Sequence, residues 1–371
     1  MFSATGGIEK VCKVASMALN EMSSSEPLKQ LKVFSMYDKS SEADNKYIDP
    51  STFYGYGEKK VKFVCDAVRS GVKNDIVILS HINLLSIGYF IKLLSPKTKL
   101  VLYAHGIEVW GPLSSLRKKM LHKCDMVLAV SHFTKGKMMQ QYNLSRDKIN
   151  VINNCIDPYL PLPASEEKDE ALLQKYQFSK NDIILMTLTR LSSKELYKGY
   201  DHVLISLSHL KQKFPAIKYL IVGNYDDEEK KRLDEIIRQH SLQQHVVFTG
   251  YIPDEELAKH YHLADVYVMP SKKEGFGIVF IEAMYYGLPV IAGNKDGSAD
   301  ALLNGRLGIL VDPDNQNEID GAIEKIILDR NQFLPPATLL NEKFSYNIYK
   351  EKLKSAINSL LLSPERKVIN F

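Results

Sequence analysis

Short apolar runs alternate with helical patterns along the whole chain, and this rhythm is the strongest constraint on its fold. The runs are 31–37, 75–80, 99–104, 125–130 and 149–152, then 182–189, 217–222, 246–249, 265–269, 288–292 and 308–311. Between them lie stretches such as 8–22, where Ile8, Val11, Ala15, Ala18 and Met22 recur at three and four residues. Runs apolar on both faces pair as parallel strands with helices covering each side. The rhythm breaks between Asp157 and Asn181, where Pro158, Pro161 and Pro163 precede the acidic stretch 165–170, a linker composition. At 371 residues the chain exceeds one ordinary core. The expected fold class is therefore α/β, with two doubly wound Rossmann-like domains, 1–160 and 161–343, joined by a hinge. Ligands are expected at the carboxyl ends of strands facing the cleft between them.

The stretch Glu274 to Ala292 carries the densest chemical signal. Asp265 to Ser271 reads as a buried strand and its exit, Gly275-Phe276-Gly277 as a turn, and Ile278 to Tyr286 as a helix stopped by Gly287. A strand, a glycine turn and a helix start aim backbone N–H groups at an anion. Glu274 lies in the turn and Glu282 about one helical turn further in, so two hydroxyl acceptors flank an anion site. A carboxylate pair at this spacing is common in ordinary helices; its glycine setting gives it meaning.

The segment EGFGIVFIEAMYYGLPVIA resembles the E-x7-E signature of retaining glycosyltransferases of family 4, which have the GT-B fold. The resemblance runs along nearly the whole chain. Gly6-Gly7-Ile8-Glu9 is similar to the glycine loop opening the family's first helix, and Asn153-Asn154-Cys155-Ile156-Asp157 to its Asn-Gly-Val-Asp before the hinge. Thr189-Arg190-Leu191 with Lys198-Gly199 resembles its Arg…Lys-Gly segment, 308–313 its closing strand, and 344–362 its terminal helix, which packs back on the N-terminal domain. One departure stands out: the family's Gly-Gly-x-x-Glu is Asp296-Gly297-Ser298-Ala299-Asp300 here, which puts sugar contacts by the shorter Asp300 in doubt.

The resemblance implies transfer of a hexosyl group from a UDP- or GDP-linked sugar to a saccharide or lipid-linked acceptor by front-face attack. The carboxylates then need not act as acid and nucleophile as in a glycosidase. Arg190 and Lys198 emerge at the carboxyl end of the run 182–189, where fixed cations stabilise charge growing on a leaving diphosphate. The resemblance assigns Glu282 to the ribose and Glu274 to the transferred sugar. It assigns Phe276, Gly277 and Ile278, with Gly6 and Gly7 from the other domain, to donor binding. His105, in a His-Gly pair after 99–104, resembles the family histidine near donor sugar and acceptor; capping the strand end is the plainer alternative. His81 is placed similarly but carries less signal. Glu108 and the single tryptophan, Trp110, follow His105 and either line an acceptor pocket or pack. Two alternatives keep the same architecture: a nucleotide-sugar 2-epimerase, which turns over without acceptor, and a non-catalytic nucleotide-sugar binding protein. Thr5-Gly6-Gly7-Ile8-Glu9-Lys10 does not supply a dehydrogenase's G-x-G-x-x-G, and no P-loop occurs.

Net charge divides unevenly: residues 1–160 hold 22 Lys and Arg against 14 Asp and Glu, a balance of +8, leaving −4 for the rest. The basic half lacks an aromatic-rich nucleic-acid motif, so nucleic acid is not an expected partner; an anionic substrate or lipid surface, or plain solvation, accounts for the charge. In 113–124, Leu113, Leu116, Met120 and Cys124 share a helical face, with Arg117, Lys118, Lys119 and Lys123 largely elsewhere, which suits either a packed surface helix or contact with anionic membrane. Four scattered cysteines, no basic and apolar leader and no spanning run fit a cytoplasmic protein, at most peripheral to the membrane. No D-x-D lies in a suitable setting, so neither metal nor cofactor is expected. Only five residues precede Gly6-Gly7, too few for the strand that normally opens such a domain, so upstream residues are expected to supply it.

Overall fold

A computed structural model describes residues 1–2, 6–23, 30–162 and 167–362. They form two compact units: residues 1–157 with the helix Tyr346–Leu362, and Pro158–Ser345. Twelve strands are present among the described residues, and all pair in parallel. The alternation read from the sequence thus yields two α/β units.

In the first unit β1 (Val33–Ser35) pairs with β2 (Phe53–Gly55), and a separate sheet runs β3 (Ile76–Leu79), β4 (Lys99–Ala104), β5 (Met126–Ala129), β6 (Ile149–Val151). The sequence reading missed β2, because Phe53-Tyr54-Gly55 makes no apolar run; its pairing with β1 alone defines it. No strand lies among the described residues before the helix Gly7–Ser23, and the two sheets share no ladder. They are bound instead by side chains. Phe63 and Val68 of the helix Lys60–Gly71 join Phe34 of β1 and Val77 of β3 in one apolar cluster. The helix Tyr346–Leu362 closes on the same unit, its Tyr349 hydroxyl 2.9 Å from that of Tyr103 on β4 and its Lys350 paired with Glu21. Phe344 does not belong to this helix. It ends the preceding one, Ala337–Phe344, and packs edge-on against Phe276 in the second unit.

The second unit holds a six-stranded sheet: β7 (Ile183–Leu188), β8 (Ile217–Val222), β9 (Val246–Gly250), β10 (Val266–Met269), β11 (Val290–Gly293) and β12 (Ile309–Val311). Their order is β12-β11-β10-β7-β8-β9. From β7 the chain winds outward to β9, then returns to the other side of β7 and winds outward again. The direction therefore reverses between β7 and β10, the place where doubly wound sheets take ligands. Leu185, Tyr219, Val266, Val268 and Ile291 anchor the sheet in a continuous core with Tyr200, Val203, Leu204 and Leu207 of the helix Tyr200–Leu210.

Candidate functional site

The loop after β7 and the loop after β10 converge at that reversal. The first ends in the short 3₁₀ turn Leu196–Lys198 and then Gly199, which is left-handed at φ +77. A β-carbon on Gly199 would overlap the Pro270 carbonyl, so only glycine lets the two loops approach this closely. The Lys272 N–H donates to the Tyr197 carbonyl at 2.8 Å and clips the loops together. Their contact brings Lys198 onto Glu274, whose Oε1 accepts from the Lys198 Nζ. Both side chains are largely buried. Burial opposes the Lys198 ammonium, but the Glu274 carboxylate, helped by Tyr197 and Glu195, more than offsets it and holds the pKa above the ordinary lysine value.

Glu274 is fixed by a residue the sequence reading passed over. Asp296, buried in the loop after β11, accepts the Glu274 N–H at 2.6 Å, the Ser271 hydroxyl at 3.0 Å and the Ser298 N–H at 2.9 Å. The next residue, Gly297, donates its N–H to the Glu274 carbonyl at 2.8 Å. A β-carbon on Gly297 would overlap the Gly275 carbonyl. Both backbone polar groups of Glu274 are thus held from one dipeptide. Burial, with some repulsion from Glu274, pushes the Asp296 carboxyl up to about 6 against the hydrogen bonds it accepts. The signal was the departure at 296–300, where attention went to Asp300 because it was compared with a glutamate. Tyr197 was also missed: the ammoniums of Lys198 and Lys273 lie 5.5 and 5.8 Å from its ring centroid.

Gly277, at φ +84, starts the helix Ile278–Tyr285 with no side chain capping its first N–H groups. That leaves the anion-binding end of the helix just beyond Glu274. Phe276 and Glu282 are both buried. The Phe276 ring is buried against Phe344, so it anchors the turn and only its backbone can face a ligand. Glu282 is 2% exposed, and its Oε2 accepts from the Tyr261 hydroxyl at 3.2 Å. A helix position alone could not reveal that a tyrosine from the helix Asp254–Leu263 reaches it. Ile278 is half-buried. Arg190 does not join Lys198: its guanidinium pairs with Glu195, which raises its pKa, and its side chain is 70% exposed.

In the first unit His105 follows β4 and is 9% exposed. Its Nε2 lies 2.8 Å from the Ser80 carbonyl. A carbonyl only accepts, so Nε2 carries the proton and Nδ1 the lone pair. Nδ1 is buried with no partner among the described residues. Burial pushes the His105 pKa down, so the ring is neutral. It stacks on Tyr103 at 5.0 Å, and the His105 backbone N–H donates to Glu108 Oε1 at 2.6 Å. Trp110 is a packing residue, edge-on to Phe133 with its ring N–H toward Thr134 Oγ1. His81 caps its own turn by accepting the Asn83 N–H. Gly7 is exposed with nothing within 4 Å of a β-carbon built on it, and only the flexible end of Glu9 would meet one on Gly6. Among the described residues nothing requires glycine at either position. Among the described residues no group of three or more His, Cys, Asp or Glu side chains could hold a metal ion.

Two α/β units of parallel strands, the second doubly wound with a lysine, a carboxylate and a helix start gathered at the reversal of its sheet, define the GT-B class of glycosyltransferase folds. The chain belongs to the glycosyltransferases of group 1 and family 4: the model for glycosyl transferases group 1 matches residues 168–351, and that for Glycosyltransferase Family 4 matches 60–159. Among curated relatives it is 30% identical to a mannosylfructose-phosphate synthase of Agrobacterium fabrum over 53% of this chain and 43% of that protein. It is 28% identical to a GDP-mannose-dependent alpha-(1-6)-phosphatidylinositol monomannoside mannosyltransferase of Mycolicibacterium smegmatis over 62% of this chain and 61% of that one. The chain therefore spans about half the length of these relatives. The fold is shared with HepE of Anabaena, solved with UDP and glucose, at a TM-score of 0.75 and 18% identity over 95% of this chain and 96% of that one. Sucrose-phosphate synthase of Thermosynechococcus elongatus shares it at 0.75 and 19%, over 97% and 94%.

Proposed function

We propose that the protein is a retaining hexosyltransferase that takes a nucleotide diphosphate sugar as donor and a saccharide or lipid-linked saccharide as acceptor, in polysaccharide or glycolipid synthesis. The observation that carries this reading is the Lys198–Glu274 pair, locked by Asp296 and Gly297 beside the uncapped helix start at Gly277. A diphosphate placed there meets a helix N-terminus and a lysine freed when the sugar engages Glu274. Charge growing on the leaving diphosphate is then stabilised by groups already in position. Arg190, exposed beside Tyr197, exchanges Glu195 for a phosphate oxygen. His105, neutral and buried, supports the loop after β4 in the acceptor-binding unit through its bond to Ser80. Glu282, held by Tyr261, supports the ribose end. No metal or cofactor takes part in this reading, and the basic first unit receives the acceptor. The relatives named above include a GDP-mannose-dependent enzyme, and HepE was solved with UDP, which supports both bases as candidates.

A thermal-shift panel of UDP, GDP and their hexose conjugates tests the donor, since a ligand of the folded state raises the melting temperature by mass action. Product formation is then followed with and without saccharide acceptors. Stabilisation by one nucleotide series and acceptor-dependent release of its diphosphate is the expected result. Turnover of the donor alone to an epimer, or binding without any turnover, would replace the transferase reading.

A further inference from the structure

We propose that the turn after β12 is a positioning element for the Lys198–Glu274 pair, acting through ion pairs of Asp312 and Asp314 with Lys272 and Lys295. These four side chains come from three loops at the carboxyl end of one sheet. Lys272 follows β10, Lys295 follows β11, and the two aspartates follow β12. The Lys272 ammonium lies 2.5 Å from Asp314 Oδ1. The Lys295 ammonium reaches both carboxylates, Asp312 Oδ1 at 2.6 Å and Asp314 Oδ2 at 2.7 Å. Charge therefore alternates from Lys272 through Asp314 and Lys295 to Asp312. The turn that carries the acids is itself held. Its Asp314 N–H donates to Asp312 Oδ1 at 2.9 Å, and its Asp312 N–H donates at 2.8 Å to Glu318 Oε2, from the first turn of the helix Gln316–Leu328.

Each lysine adjoins a group that fixes the pair. The Lys272 N–H makes the clip to the Tyr197 carbonyl, next to Lys198. Lys295 directly precedes Asp296 and Gly297, which hold the backbone of Glu274. The loops after β10 and β11 cannot slide past each other freely, because a β-carbon on Gly293 would overlap the Ser271 carbonyl. The four side chains are between 34% and 54% exposed, so each ion pair alone contributes little to stability. Their effect is on geometry. One charge network fastens both the clip and the Glu274 holder to the same turn, and a displacement of about 1 Å in a reacting group is enough to cost rate. The Lys272 and Lys295 ammoniums hold the Asp314 carboxyl down to about 2, so the network keeps its charges far below neutral pH.

Two measurements test this, and only the second rests on the proposed function. In the ligand-free full chain, Asp314→Asn should speed amide hydrogen exchange at Glu274 and Gly297 about threefold, the scale of an exposed ion pair, with the melting temperature little changed. High salt should do the same to the natural chain, because exposed charges are screened. With the nucleotide sugar selected by thermal shift, Asp314→Asn should lower kcat about tenfold and leave the donor KM nearly unchanged, the pattern of a group that acts in the transition state. Asp314→Glu keeps the charge and should recover most of the rate. Unchanged exchange at Glu274 and Gly297 in Asp314→Asn overturns the proposal. So does a glutamate variant as slow as the asparagine one, or a loss confined to KM. Faster exchange in a protein that turns over no nucleotide sugar would uphold the network and remove the transferase reading instead.

Discussion

At the scale of single residues, the candidate site depends on which groups are held and which are free to exchange partners. Lys198→Ala should lower turnover about a hundredfold, comparable with loss of one pre-aimed charge-stabilising donor. Near-normal turnover in a folded Lys198→Ala protein would remove Lys198 from the diphosphate. Glu274→Ala should spare nucleotide affinity and impair transfer, while Glu282→Ala should weaken binding of the free nucleotide; equal losses by calorimetry would break that division of roles. Asp296 acts through Glu274. Asp296→Ala leaves the buried Glu274 N–H without its acceptor, at a cost of about 1–3 kcal/mol, and should reduce kcat more than it raises KM. Asp296→Asn keeps one amide oxygen for that N–H and should recover much of the rate. An asparagine variant as impaired as the alanine one would rule out the acceptor role.

At the scale of elements, the two glycine loops separate conformational need from ligand need. Gly277 sits in the left-handed region, and a β-carbon there would overlap the Phe280 ring. Gly277→Ala should therefore both lower the melting temperature and reduce donor binding, by moving the start of Ile278–Tyr285. Gly7→Ala meets none of the described atoms and should leave the melting temperature unchanged. If it nevertheless weakens donor binding, the missing side chain matters because a ligand comes close to it. A Gly7→Ala protein that binds donor normally would take this loop out of the donor site.

Across the whole molecule, buried titratable groups set an acid limit. Burial pushes His105, His260 and His262 below the ordinary histidine value. Each stays neutral in the folded chain while the unfolded chain takes up protons below about pH 6.5, so their contribution is present at neutral pH and is lost on acidification. For His105 the loss is at most about 1.4 kcal/mol per pH unit. Asp296 works in the opposite direction. Its pKa of about 6 exceeds the unfolded value, so it favours the folded state most below the unfolded pKa and this is lost as pH rises through 6. Melting temperatures between pH 7.5 and 5.5 should fall less steeply for His105→Gln and more steeply for Asp296→Asn than for the natural chain. Parallel curves for all three would show that these groups are not the ones titrating.

Periodicity by itself determined the α/β class, all but one of the strands and the break near residue 157, because each strand's burial is written in its own consecutive residues. A strand exit, a turn and a helix start are local features, so the sequence also placed Lys198 after β7, Glu274 in the turn after β10 and Gly277 at a helix start. Contacts between distant segments were decided only by the tertiary structure. β2 became a strand through its partner β1, Arg190 was taken by Glu195, and Tyr261 reached Glu282 from another helix. Asp296 shows the difference most plainly. Its sequence position marks it as a loop aspartate, but the approach of β11 to β10 buries it beneath Glu274, where its carboxylate is the acceptor that the turn's N–H requires.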